Sequence, residues 1–179
     1  MNRTIKSVIL ALTAMLAFAF SVVADTNAVT SASPYRGGEF AISTYGLYQT
    51  SGTVSEDGSE WGVGIQADVF ITKNLGIHVA TAKNQYGEGP VFQNVAFGPV
   101  LRLPIGDTPF APYILGGLGF DFDNDNERFY YAGAGIEYRP YCILKHVSVF
   151  SDVQYHWRDY IQTGDADAIF VRAGLRWTF

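Results

Sequence analysis

Residues 168–179 read AIFVRAGLRWTF, and apolar positions alternate with others through the whole stretch. Ile169, Val171, Ala173, Leu175, Trp177 and Phe179 share one parity. Ala168, Phe170, Arg172, Gly174, Arg176 and Thr178 share the other, and both full positive charges fall in that second set. A period of two marks an extended strand with two unlike faces, because successive side chains of a pleated strand point to opposite sides. It does not say which face meets water, and the fold turns on that choice.

The same alternation recurs upstream and predicts eight strands, at residues 38–49, 61–72, 75–84, 90–104, 111–123, 128–140, 147–158 and 168–179. Most run about ten to fourteen residues, against a mode of about five or six in ordinary sheets. In the second, Trp61, Val63, Ile65, Ala67, Val69 and Ile71 oppose Gly62, Gly64, Gln66, Asp68, Phe70 and Thr72. In the seventh, Val147, Val149, Val153, Tyr155 and Trp157 oppose Phe150, Asp152, Gln154, His156 and Arg158. The first strand is ambiguous, since Tyr45, Leu47 and Tyr48 straddle both parities.

The connections alternate in character. Lys73-Asn74 makes a two-residue hairpin, and PIGDTP (104–109) and PYCILKH (140–146) make compact turns. The opposite set is TSGTVSEDGSE (50–60), QYGEG (85–89), DNDNE (123–127) and DYIQTGDAD (159–167), rich in Asp, Glu, Asn and Gly. In an up-and-down meander of eight strands both termini lie at one end and all four acidic connections at the other.

At the start, Arg3 and Lys6 precede an uncharged apolar run, and Val22 and Ala24 suit a signal-peptidase cut before Asp25. Residues 1–24 are therefore expected to be a secretory signal peptide, with an uncleaved anchor as the alternative. Residues 25–37 are polar and aperiodic and are expected to form a loose periplasmic leader, with the barrel domain over 38–179. Losing the signal removes two positive charges and no acid, so the net charge goes from −5 to −7. An acidic exported chain is a poor candidate for nucleic acid. Cys142 is the only cysteine, which excludes an intramolecular disulfide, and no later segment is apolar enough for a membrane-spanning helix.

Two closed barrels fit this pattern. In a lipocalin-like barrel the apolar face lines an inner pocket; in a transmembrane barrel it faces lipid and the polar face fills the core. The polar parity carries Asp68, Arg102, Asp121, Glu137, Arg139, Asp152, Arg158, Arg172 and Arg176, with both signs in similar number, as mutually paired groups in a confined interior would have. It also carries many glycines, which relieve crowding inside a narrow barrel. The apolar parity places Trp177 and Phe179 at one rim and Tyr155 and Trp157 at the other, where interfacial girdles form. The expected fold is therefore an all-β, eight-stranded antiparallel up-and-down transmembrane β-barrel. Arg172 and Arg176 are expected to pair with Glu137 and Asp152, within a lumen charge network of Asp68, Arg102, Glu137, Arg139, Asp152, Arg158, Arg172 and Arg176.

A last strand of alternating apolar residues ending on Phe resembles the assembly signal of bacterial outer-membrane proteins. FAPYILGGLGFDF (110–122), YAGAGIEYRP (131–140) and VFSDVQYHW (149–157) look like the fifth, sixth and seventh strands of the OmpA-type family of small eight-stranded outer-membrane barrels. The resemblance covers roughly residues 38–179. It implies Trp177 and Phe179 as the assembly signal, read by the outer-membrane assembly machinery. It also implies outer-membrane lipids and lipopolysaccharide as surroundings, and a monomeric state. In the larger family members a peptidoglycan-binding domain follows the barrel; none is expected after Phe179, so the resemblance does not imply wall anchoring.

Patterns that suggest an enzyme fail on context. His146 and Ser148 resemble the His-x-Ser pair of barrel-type lipid A deacylases but fall at the short-turn end, with Asp152 pointing into the lumen. GVGIQA and GAGIEYRP touch dinucleotide-loop spacing without a following helix. His78 and His156 are expected in the hydrogen-bonded core. Asp121, Asp123, Asp125 and Glu127 form a weak metal candidate, lacking the Gly and distal Glu of an EF-hand loop. No cofactor is expected. Because eight strands enclose just enough space for their own side chains, the lumen is expected to be plugged. The expected role is envelope integrity or surface interaction through short acidic extracellular loops. A narrow porin-like channel for ions or small solutes is the alternative, and a lipid-modifying enzyme the more remote one.

Overall fold

Antiparallel pairing joins eight strands in chain order: β1 (Glu39–Thr50), β2 (Glu60–Phe70), β3 (Leu75–Asn84), β4 (Asn94–Arg102), β5 (Phe110–Asp121), β6 (Glu127–Tyr138), β7 (Val147–Arg158) and β8 (Ala168–Thr178). β8 pairs back onto β1 and closes the barrel. The structure, a computed structural model, describes residues 34–50, 60–84, 94–121, 127–140, 146–158 and 167–179, without the side chains of Glu60, Asn84, Glu127 and Arg158. The expected signal peptide, most of the leader and almost all of the four acidic connections lie outside these residues.

Side-chain parity sorts the two faces as the alternation requires. On β2, Trp61, Val63, Ile65 and Val69 are exposed, while Gln66, Asp68 and Phe70 are buried. β1 obeys the same rule once its apolar residues are placed: Ala41, Ser43, Tyr45 and Leu47 point inward, and Phe40, Ile42, Thr44 and Gly46 outward. The ambiguity arose because the interior takes apolar groups as well. Tyr45 packs edge-on against Phe150 inside, and Tyr48, of opposite parity, lies 4.7 Å from the Trp61 ring.

The hairpin at Lys73-Asn74 is closed by Thr72 N donating to Leu75 O at 3.1 Å, and the Thr72 hydroxyl accepts from the amides of Asn74 and Leu75. Gly106 takes a positive φ of 50° in the turn between β4 and β5, which a residue without Cβ adopts freely. At the seam, Phe179 N donates to Phe40 O at 2.8 Å and the two rings lie 6.0 Å apart.

Inside, large rings stand over small residues. A Cβ at Gly119 would come within 2.1 Å of the Phe129 ring, and one at Gly64 within 2.3 Å of the Tyr45 ring. These glycines are the space that the aromatic side chains occupy.

Candidate functional site

Inward-pointing residues on six strands, joined by Arg139 just past β6, build an ionic interior whose charged members are all buried. Arg172 binds Asp152 on the neighbouring β7 through two parallel bonds, Nε to Oδ1 and Nη2 to Oδ2, both 2.8 Å. This fork-to-fork geometry is the strongest form of such a pair. Tyr113 donates to Oδ2 of the same carboxylate at 2.8 Å, and the Tyr45 ring lies 4.7 Å from the guanidinium. Arg176, two inward steps along β8 past Gly174, donates to Glu137 Oε2 at 2.6 Å and to Ser43 at 3.1 Å, and stands 3.4 Å from Asp68. Gln66 donates to the other oxygen of Asp68 at 2.7 Å.

Toward the end of the barrel that carries the termini, the network widens. Glu39 accepts from Arg102 at 2.9 Å and from Arg139 at 3.0 Å, and Arg139 also donates to Glu137 at 3.0 Å. Tyr35 lies across this end, with the guanidinium carbons of Arg102 and Arg139 each 4.6 Å from its ring centre. Its hydroxyl donates to Pro109 O at 2.8 Å, and Arg139 donates to Pro34 O at 2.8 Å. A ring close to two guanidinium groups combines cation–π attraction with burial. Residues 34–37, expected to belong to a loose leader, are thus tied to the barrel floor, because the arginines there need acceptors and a lid.

The opposite half of the interior is less charged. Leu47, Phe129, Phe170 and His156 pack there around a cavity of about 40 Å³, with Tyr131 against Phe129 and His156. His78 Nε2 lies 2.5 Å from the Tyr131 hydroxyl and His156 Nε2 lies 3.0 Å from Gln154 Oε1. Both histidines are therefore engaged with neighbouring core side chains. At the rim, the Tyr155 hydroxyl donates to the Asp167 carboxylate.

Of the residues singled out in the sequence, Asp68, Arg102, Glu137, Arg139, Asp152, Arg172 and Arg176 come together in the lumen. The Arg158 side chain lies outside the described residues, as do Asp123, Asp125 and the Glu127 side chain. Asp121 is half-buried at the far end, and among the described residues no His, Cys, Asp and Glu cluster of metal-site size occurs. His146 is exposed and bonded to Thr178 O at 3.1 Å, while Ser148 donates to Glu137 Oε1 at 2.7 Å. The two are engaged separately and make no nucleophile–base pair. Trp177 and Phe179 sit on the outer face.

Sequence reasoning missed Glu39, Tyr35, Ser43, Ser148 and Tyr113. Ser148 and Tyr113 could have been found by parity, since each shares the inward set of its strand, whereas Glu39 and Ser43 lie on β1, whose parity is ambiguous in the sequence. Tyr35 precedes the alternation and has no such signal.

No family model matches the chain, and no curated protein matches it. Solved structures do. Neisserial surface protein A (NspA) is 14% identical with a TM-score of 0.60, over 80% of this chain and 98% of that one. Ail, the attachment invasion locus protein of Yersinia pestis, is 18% identical with a TM-score of 0.55, over 80% and 99%. The outer membrane protein OprG from Pseudomonas aeruginosa is 10% identical with a TM-score of 0.54, over 81% and 97%. At such identities the shared property is the fold, and this chain is a closed, eight-stranded, antiparallel up-and-down β-barrel.

Proposed function

We propose that the chain is a non-enzymatic barrel of the outer membrane of a Gram-negative-type bacterium, with periplasmic termini and a closed lumen. Its acidic connections face outward and serve envelope integrity or surface contact. The observation that carries this reading is the inversion of the usual polarity. Val63 is 68% exposed and Ile71 62%, while Arg102 and Arg176 are 1% exposed and Glu137 and Asp68 0%. A barrel in water would bury the first pair and solvate the others. In lipid the arrangement is the favourable one, and closure leaves no unpaired strand edge facing hydrocarbon. That proteins of similar fold include an outer membrane protein and a surface protein lends further support.

The closed lumen follows from how its width is used. Among the described residues, four acids and four arginines cross the interior, Tyr35 covers one end and aromatic rings pack the opposite half. The test is purification followed by planar-bilayer recording. Dependence on detergent for a folded monomer, with no steady conductance, is the expected result. A folded monomer stable without detergent overturns the membrane assignment, and steady conductance overturns the closed lumen.

A further inference from the structure

We propose that residues 34–38 form a hinged strap over the end of the lumen that carries the termini. Lifting the strap admits water to the ionic half of the interior, and the barrel wall stays closed. The proposal rests on the closed-lumen reading above.

The strap is built apart from the wall. The β1 ladder begins at Glu39, opposite Phe70, and the Gly38 amide adds one bond to Phe70 O at 2.7 Å. Upstream of that bond the strap is held by groups of the floor. The Tyr35 hydroxyl donates to Pro109 O at 2.8 Å, Arg139 donates to Pro34 O at 2.8 Å, and Arg102 reaches Arg36 O at 3.4 Å. The Arg36 amide in turn donates to Glu39 Oε1 at 2.9 Å. Water can take the place of each of these bonds, since their floor partners are charged side chains or a turn carbonyl. Lifting the strap therefore leaves the strand ladders intact.

Gly38 is the hinge. Its φ of 78° is a conformation that residues with a side chain seldom adopt, and it carries the chain off the wall and across the floor. A Cβ at Gly38 meets nothing within 4 Å, so the backbone, and not a lack of space, calls for glycine there. Beside it, Gly37 passes close over the end of β2, where a Cβ would lie 3.1 Å from Ile71 O. The glycine pair thus sets the position of Tyr35, which is buried at 2% exposure.

Tyr35 makes the strap a seal. The Arg102 guanidinium carbon lies 3.7 Å from the centre of the Phe70 ring and 4.6 Å from that of Tyr35. Arg139 lies against Tyr35 as well, and Glu39 binds both arginines. Lifting the ring gives up cation–π attraction and buried apolar area. It also hydrates three charges that burial had taken from water. The two effects oppose each other, and this keeps the open form within reach of the closed one. Deeper in the lumen, Arg172 is held by Asp152 through bonds in which the strap has no part.

Proton exchange at the Arg102 and Arg172 Nε–H groups, followed by NMR on the full chain in detergent micelles, tests the proposal. Trypsin cleavage after Arg36 reports on the strap itself. The Arg102 Nε–H donates to Lys73 O at 3.2 Å and the Arg172 Nε–H to Asp152 at 2.8 Å. In wild type both should exchange slowly, and the bond after Arg36 should resist trypsin. Gly38→Val strains the hinge and leaves every floor group in place. Tyr35→Ala removes the cover directly. Each variant should speed exchange at Arg102 several-fold and expose Arg36 to trypsin, with Arg172 as slow as before. Unchanged exchange at Arg102 in either variant overturns the proposal. Equal acceleration at Arg172 overturns it too, because the whole barrel has then loosened. Fast exchange at Arg102 alone in wild type does the same, since the floor is then open under a docked strap. Fast exchange at both arginines in wild type refutes the closed-lumen reading itself, and the strap falls with it.

Discussion

Arg176 on β8 reaches Glu137 on β6, Nη1 to Oε2 at 2.6 Å, although β7 runs between the two strands. The pair spans the lumen and not a strand ladder. Ser148 of the intervening β7 completes it from the side, and Arg139 adds a third bond to the same carboxylate.

Glu137→Ala leaves several guanidinium groups around an empty acceptor position. Removing one partner of a buried pair costs about 3–5 kcal/mol, because the remaining charge is uncompensated. The urea midpoint of the refolded barrel is expected to fall accordingly, and Arg176→Ala should act in the same direction. Lys73→Ala, in an exposed turn, should leave the midpoint where it is. Unchanged midpoints in both lumen variants would mean that water solvates the interior.

Asp152 and Arg172 allow a sharper measurement, since each is the other's main ionic partner. Asp152→Leu or Arg172→Met alone should be strongly destabilising. The double variant should recover most of the loss, because replacing a whole buried pair with apolar groups is often close to neutral. A double-mutant cycle in urea gives the coupling directly, and strict additivity would argue against a desolvated pair.

How far the sequence reveals this barrel depends on how cleanly each strand separates its faces. β7 is read from Val147 to Arg158 with no error, since Val149 and Val153 face Asp152 and Gln154 across a sharp polarity difference. β1 is harder because Tyr45 and Leu47 are apolar and still point inward, where they fill space beside Phe150. Glu39 stands at the first position of β1, where a polar residue next to a polar leader carries no contrast. Its partners, Arg102 and Arg139, are 63 and 100 residues away in the chain. Tyr35 is set in place by those same arginines, so its position is a property of the closed barrel.

Val153→Arg places a charge on the outer face midway along β7. At the middle of a bilayer this costs about 2–4 kcal/mol. Folding into lipid vesicles should show the loss. If the variant is as stable as wild type in vesicles, the apolar wall does not face lipid.

Deleting Phe179 should separate assembly from stability. The residue is 73% exposed and contributes one backbone bond and a ring contact with Phe40. Refolding in detergent should remain close to normal, while the amount of SDS-resistant barrel reaching the outer membrane in cells should drop. Normal cellular levels would remove Phe179 from the assembly signal.

Gly98→Ala tests the approach of β4 to β5. The added methyl would sit 2.0 Å from Gly116 O and 2.7 Å from Gly117 Cα, both backbone atoms that cannot swing aside. Overpacking of this kind costs about 1–3 kcal/mol, so the unfolding midpoint should fall. Gly46→Ala, pointing into open space, is the matched control and should not lower it.

Arg176 also dictates the order in which the molecule can become stable. Its three polar partners are Ser43 on β1, Asp68 on β2 and Glu137 on β6, so it draws on both ends of the chain at once. A curled sheet still lacking β8 would hold Asp68 and Asp152 without Arg172 or Arg176, leaving excess negative charge in a space that is losing water. Partial barrels are penalised for that reason. Zipping the last strand to the first and neutralising the interior are a single event, and the barrel should close cooperatively, without a populated seven-stranded form.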